Sequence, residues 1–235
     1  MHLVRLRNIG RSYKLDSVSV PALVDISVDI GENRFTVISG QSGSGKTTLL
    51  NLIGCIDRPD HGKMRVAGQN PLKMSDDALA DFRATQLGFI FQNFNLLPVL
   101  TAYENVEYPL LLARVPPAER HERVMSLLES VGLGDRIHNR PGQLSGGQRQ
   151  RVAIARALAP APKMVLADEP TANLDSKTGT AIIELMRKMQ RERQVSFIFS
   201  SHDPQVLKEA DDTIFLRDGK VVMVQRADGK HGPGL

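Results

Sequence analysis

Cysteine is nearly absent: Cys55 is the single one in 235 residues. One thiol excludes an intramolecular disulfide framework and any metal site built from several cysteines, and it fits the reducing cytoplasm. A strong excess of charge of one sign is also missing. Thirty basic against 26 acidic residues leave a formal net charge of +4, too mild for a dedicated nucleic-acid binder, so no nucleic-acid partner is expected. Long apolar runs are lacking. The stretch Ala84–Tyr103 carries no formal charge and is long enough to suggest a span, but Gln86, Gln92, Asn93, Asn95 and Pro98 interrupt it. Desolvating those amides in lipid would be costly, so a transmembrane reading is rejected, and any membrane role needs a partner that supplies the spans. The N-terminal Met-His-Leu-Val-Arg-Leu-Arg has no apolar core of signal-peptide length, so no signal peptide is expected. Internal repeats and low-complexity blocks are missing too.

What is present is ordinary globular composition, 41% hydrophobic and 24% charged, which excludes disorder throughout. The first third reads as β-rich. Val24, Ile26, Val28 and Ile30 alternate with polar residues, Phe35–Ser39 is a second apolar strand, and Lys63–Gly68 is a third. The middle third reads as helical. Ser75 is placed to cap a helix bearing Leu79 and Phe82, and Val124, Leu127, Leu128 and Val131 share one helix face that stops near Gly132 or Gly134. In the last third Met164–Asp168 and Ser196–Ser200 read as strands around a helix carrying Ile182, Leu185, Met186 and Met189. A hairpin turns at Asp218-Gly219 between Thr213–Arg217 and Lys220–Val224. This alternation predicts an α/β core, with one domain over residues 1–225, a helical insert at about 93–160, and a frayed tail from 226 to 235.

Chemistry concentrates at Gly40-Gln41-Ser42-Gly43-Ser44-Gly45-Lys46-Thr47, which matches the G-x-x-x-x-G-K-[ST] phosphate-binding loop. An apolar strand precedes it and a helical run follows, the context the motif requires. Backbone N–H groups at a helix N-terminus favour anions, Lys46 offers an ammonium to the β- and γ-phosphates, and the Thr47 hydroxyl can ligate Mg2+. The loop alone leaves GTPases, kinases and ATPases open; a guanine-reading Asn-Lys-x-Asp is absent, which disfavours a GTPase. A second anion-binding helix start follows at Leu144-Ser145-Gly146-Gly147-Gln148. Ser145 can cap the helix, and the two glycines let backbone N–H groups approach an anion closely. Arg149 and Arg151 read as a solvated helix face.

The pattern Leu-Ser-Gly-Gly-Gln resembles the signature of the ATP-binding cassette family, and the resemblance extends from about Leu3 to Val224. It implies a P-loop NTPase (RecA-like) core with an N-terminal antiparallel β subdomain and an inserted α-helical subdomain. It also implies an ATPase using ATP and Mg2+. Val165-Leu-Ala-Asp168-Glu169 resembles a Walker B strand end. Asp168 would then hold Mg2+ and Glu169 would serve as general base. Gln92 resembles the Q-loop glutamine, contacting metal and water. His202 resembles the switch histidine, Tyr13 the aromatic that stacks on adenine, and Ala172–Asp175 the D-loop. On this resemblance the catalytic set is Lys46, Glu169 and His202, and the metal set is Thr47, Gln92 and Asp168. The nucleotide set is Tyr13, residues 40–48 through Thr48, Gln92, and Ser145 to Gln148. The last four would act on the nucleotide of a second copy, in an ATP-dependent homodimer. Cys55 reads as a small buried apolar residue.

The stretches Leu50–Pro59, Gly88–Pro98 and Ala167–Asp175 resemble one branch of the family, which contains lipoprotein-release, macrolide-export and cell-division cassettes. That implies an ATPase subunit at the cytoplasmic face of the inner membrane. It would pair with an integral membrane subunit docking near Phe91–Leu97, and would drive conformational change in it. A signalling cassette that gates cell-wall hydrolases is the alternative, and a soluble DNA-repair or translation cassette is a more distant one.

Overall fold

The computed structural model describes residues 2–15 and 18–227. Two sheets organise it. The smaller is antiparallel, in the order β2-β1-β4, built from β1 (His2–Leu15), β2 (Val18–Gly31) and β4 (His61–Val66). The larger has the order β5-β6-β7-β3-β8-β9. In it β5 (Leu87–Ile90), β6 (Met164–Ala167), β7 (Ser196–Ser200), β3 (Phe35–Ser39) and β8 (Asp212–Arg217) run parallel, and β9 (Lys220–Arg226) returns antiparallel from β8. The N-terminal antiparallel sheet, the central parallel sheet and a helical segment between β5 and β6 together form the P-loop NTPase architecture.

The central strands are buried on both faces, as a parallel sheet covered on two sides must be. Successive side chains along them alternate between two apolar layers. Phe35, Val37, Val165, Ala167, Phe197 and Phe199 face the helices α3 (Ala102–Leu112), α4 (Pro117–Ser130), α5 (Gly146–Leu158) and α6 (Ser176–Arg193). Ile38, Met164, Leu166 and Ile198 face the other way, toward α1 (Lys46–Ile53), α2 (Asp76–Gln86) and the small sheet. A short α7 (Pro204–Lys208) precedes β8. Cys55 is buried in the second layer, and burial pushes its thiol up to about 11, so it is uncharged and apolar in character.

Caps fix the helix starts. The Ser75 hydroxyl accepts from the Ala78 N–H at 3.3 Å, and Thr101 with Glu104 forms a reciprocal box at α3. Helix α4 gives way at Val131, with Gly132 at φ 73 immediately after.

Several boundaries differ from the sequence reading. β1 has no counterpart in it: its pairing register shifts repeatedly, and Asn8 adopts φ 51, so apolar residues at 3, 4, 6 and 9 lose a clean alternation. In β2, Leu23 is buried and Val24 only half-buried, because Asp25 at φ 54 resets the pleat before Ile26, Val28 and Ile30 resume it. β4 starts at His61 and stops at Val66, where a turn through Ala67 and Gly68 pairs the Val66 N–H with the Gln69 carbonyl at 2.9 Å. β9 runs through Arg226, paired with Asp212. Ala227 follows, its N–H bonded to the Asp211 carbonyl at 2.7 Å, and residues 228–235 of the expected tail lie outside the described residues.

Candidate functional site

β3, buried at all five positions, delivers the chain to Gly40, and the loop closes with the Ser44 N–H on the Gln41 carbonyl at 3.2 Å. Gly45 caps α1 at φ 101, where a Cβ would lie 2.6 Å from the Ala22 carbonyl oxygen. Only glycine fits both demands. Lys46 lies at the first turn of α1, and its ammonium Nζ donates to the carbonyls of Gly40 at 2.9 Å and Gln41 at 3.0 Å. The side chain thus bends back over the loop. The Ser44 hydroxyl is buried with no hydrogen-bond partner among the described residues. Among the described residues no side chain caps the N-terminus of α1. An unpartnered buried hydroxyl, uncapped N–H groups and an ammonium at one helix start suit the oxygens of a polyphosphate.

β6 and β7 lie side by side and bring the acidic residues to this loop. Asp168 follows β6; its Oδ2 accepts from the Thr47 hydroxyl at 2.9 Å and its Oδ1 from the Ser200 hydroxyl at 2.6 Å. Ser200, the last residue of β7, also accepts from the Glu169 N–H at 2.8 Å. Glu169 stands at φ 46, a left-handed conformation that is uncommon for glutamate and turns its side chain out of the strand line. Its Oε1 lies 3.2 Å from Nδ1 of His202. Gln92 comes just beyond β5 and is exposed; its backbone carbonyl accepts from Nδ2 of Asn173 at 2.9 Å. The result is an open cleft of about 740 Å³ lined by Ser39, Gly40, Gln41, Ser42, Lys46, Gln92, Glu169, Ala172 and His202. Gly43 is at φ 78 within the loop; Thr47 is exposed and Thr48 half-buried on α1.

Two expected groups stay outside this cleft. Tyr13, on β1, donates its hydroxyl to Asp57 at 2.9 Å and is 38% exposed. The signature opens α5: the Ser145 hydroxyl accepts from the Gln148 N–H at 3.3 Å, and the Gln148 side chain accepts from the Ser145 N–H at 2.9 Å. Gly146 and Gly147 form its first turn, and a Cβ on Gly147 would meet the Thr178 methyl at 2.6 Å, so glycine lets α5 and α6 approach. None of Ser145, Gly146, Gly147 and Gln148 lines the phosphate cleft.

The solvated face expected for Arg149 and Arg151 is not what the structure holds. Arg149 lies over the Phe94 ring at 5.3 Å with its Nε buried, and Arg151 donates to the Val131 carbonyl at 2.8 Å, at the end of α4. Both knit the helical segment together. Three residues have roles that the sequence reading missed. Ser200 joins the two acids, Asn173 ties the D-loop to the Gln92 segment, and Arg156 donates to the Phe94 carbonyl at 2.8 Å. Only their positions, at a strand end beside the acids and on the segments flanking them, could have marked them.

A second depression of about 470 Å³ lies between α2, α3 and α5; Ile56, Arg83, Phe89, Phe91, Asn95, Tyr108, Leu112 and Arg156 are among its lining. Phe89 and Phe91 stack at 6.0 Å. Within the stretch Phe91–Leu97, Phe91 and Asn95 face this groove, whereas Leu96 packs against the core.

Residues 23–172 match the ABC transporter family. The chain is 45% identical over 229 residues to a lipoprotein-releasing system ATP-binding protein LolD from Anaeromyxobacter dehalogenans, covering 97% of this chain and 94% of that one. It is 44% identical over 223 residues to a macrolide export ATP-binding/permease protein MacB from Syntrophobacter fumaroxidans, covering 94% of this chain and 31% of that one. Among solved structures, a dimeric ATP-binding cassette in a post-hydrolysis state, bound to ADP and Pi, superposes with a TM-score of 0.88 at 42% identity, covering 97% of this chain and all of that one. No helix among the described residues is long and apolar enough to cross a membrane. The chain is therefore an ATP-hydrolysing cassette of the ABC transporter family.

Proposed function

We propose that this chain is the ATPase subunit of a LolD/MacB-type complex, working as an ATP-dependent homodimer on the cytoplasmic face of the inner membrane and driving a separate membrane subunit. The observation that carries the proposal is the division of anion-binding surfaces. The chain has a phosphate cleft with an acid at its edge, and a second capped helix start, the signature, that takes no part in lining that cleft. Two copies placed head to tail would complete each cleft with the other's signature.

The proposed chemistry follows from the side chains. The loop N–H groups, Lys46, Ser44 and Thr48 would bind the phosphates of ATP, and Tyr13 would stack on adenine. Thr47 and Asp168 share a hydrogen bond of 2.9 Å; this oxygen pair suits Mg2+, with Gln92 as a further oxygen donor. Mg2+, when bound, supplies positive charge to the phosphate oxygens. Glu169 would accept the proton of the attacking water as the bond to the γ-phosphorus forms and the bond to ADP breaks. His202, 3.2 Å from the Glu169 carboxylate, would orient it and contact the γ-phosphate. ATP would close the dimer and hydrolysis would reopen it.

The groove beside α3 is the proposed seat of the membrane subunit, since Ile56, Tyr108 and Leu112 are 52%, 43% and 65% exposed there and no other described segment covers them. The test is co-expression with a candidate membrane subunit, followed by affinity purification. Leu112→Asp or Tyr108→Asp should abolish co-purification while leaving ATP binding intact. Undiminished co-purification with both variants would remove the groove from the interface.

A further inference from the structure

The phosphate cleft has an obvious scaffold, but the adenine platform proposed above rests on one tyrosine near the end of a strand. Exposed aromatic side chains sample several rotamers, and ordering one on binding costs affinity. Tyr13 is held by a network that the phosphate chemistry does not use. Its hydroxyl donates to Asp57 Oδ2 at 2.9 Å. Two residues earlier on the same strand, Arg11 donates to both oxygens of the same carboxylate, at 3.0 and 2.9 Å, and to Asp60 at 2.8 Å. The Arg11 guanidinium carbon also stands 4.9 Å from the centroid of the Tyr13 ring, a cation on one face that leaves the other for a flat ligand. Asp60 in turn accepts from the Ser12 N–H at 2.7 Å and donates its own N–H to the Gly10 carbonyl at 2.8 Å.

Asp57 belongs to the turn that follows α1, and its N–H bonds back to the Asn51 carbonyl at 3.3 Å. One helix therefore begins at the phosphate loop, and the turn after its C-terminus carries the carboxylate that grips Tyr13. We infer that Asp57, braced by Arg11, is a positioning residue that pre-orients Tyr13 for the nucleotide base, with α1 fixing the spacing between base platform and phosphate loop. The inference rests on the reading of Tyr13 as the adenine platform and adds what holds it.

Steady-state ATPase kinetics on the full chain test it, with inorganic tripolyphosphate as a base-free competitive inhibitor. Tyr13→Ala should raise KM for ATP several-fold with little change in kcat, because stacking contributes mostly to uniform binding. Asp57→Asn should raise KM about threefold, the scale of one ordered hydrogen bond, leaving kcat and tripolyphosphate inhibition unchanged. Tyr13→Phe, which deletes the hydroxyl but spares the Asp57–Arg11 pair, should reproduce that rise. In a Tyr13→Ala background Asp57→Asn should add nothing, since the ring it positions is gone. A further rise in that background, or altered tripolyphosphate inhibition, would show that Asp57 acts on the phosphate site, and would overturn the inference. So would wild-type KM in both Asp57→Asn and Tyr13→Phe while Tyr13→Ala is impaired. A silent Tyr13→Ala would remove the platform reading itself, and the inference with it.

Discussion

At the scale of the residue, the site depends on small polar groups as much as on the acids that draw attention in the sequence. Ser200 is the clearest case. Its hydroxyl donates to Asp168 at 2.6 Å and accepts from the Glu169 N–H at 2.8 Å, so a single oxygen sets both consecutive carboxylates. Glu169 needs that support, because its φ of 46 is a conformation costing roughly 1 kcal/mol or more for a non-glycine residue. Ser200→Ala should leave ATP binding close to wild type, since Lys46 and the loop are untouched. It should lower kcat by about tenfold, through a less well-placed Glu169. Nucleotide titration and steady-state turnover of the same preparation check this, and a variant with normal kcat would show that the strand ends hold the acids without the hydroxyl.

At the scale of the element, what the sequence made legible was what repeats or punctuates. The short apolar runs at Phe35–Ser39 and Ser196–Ser200, the Ser75 cap, the Gly132 stop and the Asp218-Gly219 hairpin all fall where local chemistry alone dictates them. β1 was not legible, because its bulges destroy the alternation, and neither were Ser200 and Asn173, whose partners are 32 and 81 residues away. The junction of α6, β3 and β8 belongs with these. Arg187 of α6 donates to Asp211 at 2.7 Å, and Asp211 also accepts from the Phe35 N–H at 2.8 Å. Burial by itself pushes the Asp211 carboxyl up, but the Arg187 guanidinium and the Phe35 N–H outweigh it and hold the carboxyl below its ordinary value. A depressed carboxyl contributes stability that is complete above the unfolded-state value, about 3.9, and is lost as pH falls through the lower folded-state value. Asp211→Asn should therefore lower the urea midpoint by a constant amount from pH 7 to pH 5, with the gap to wild type shrinking only below about pH 4. A gap that closes between pH 7 and pH 5 would assign the effect to some other group.

At the scale of the molecule, the phosphate cleft and the signature are separate surfaces of one chain, and the proposed head-to-tail dimer would make turnover a property of two copies. The solved cassette that this chain resembles is dimeric and bound to ADP and Pi. Glu169→Gln keeps the side-chain shape but removes the carboxylate proposed to take the proton from water. Hydrolysis should fall by at least ~10²-fold, the low end for a lost general base. Binding should survive, because the proposed phosphate contacts of Lys46, Ser44, Thr48 and the loop N–H groups are untouched. Binding without hydrolysis leaves the closed state with no route to reopen. With ATP, Glu169→Gln should therefore elute as a dimer on size exclusion, whereas the nucleotide-free protein should be largely monomeric. Adding Ser145→Arg puts a bulky cation where a small hydroxyl now caps α5, at the surface that would meet the opposing γ-phosphate, and should abolish that dimer. Loss of the cap costs only about 1 kcal/mol of helix stability, so the double variant should still bind ATP as a folded monomer. A double variant that dimerises as well as Glu169→Gln alone would mean that signature and phosphate cleft do not face each other across the interface, and the composite site would have to be abandoned.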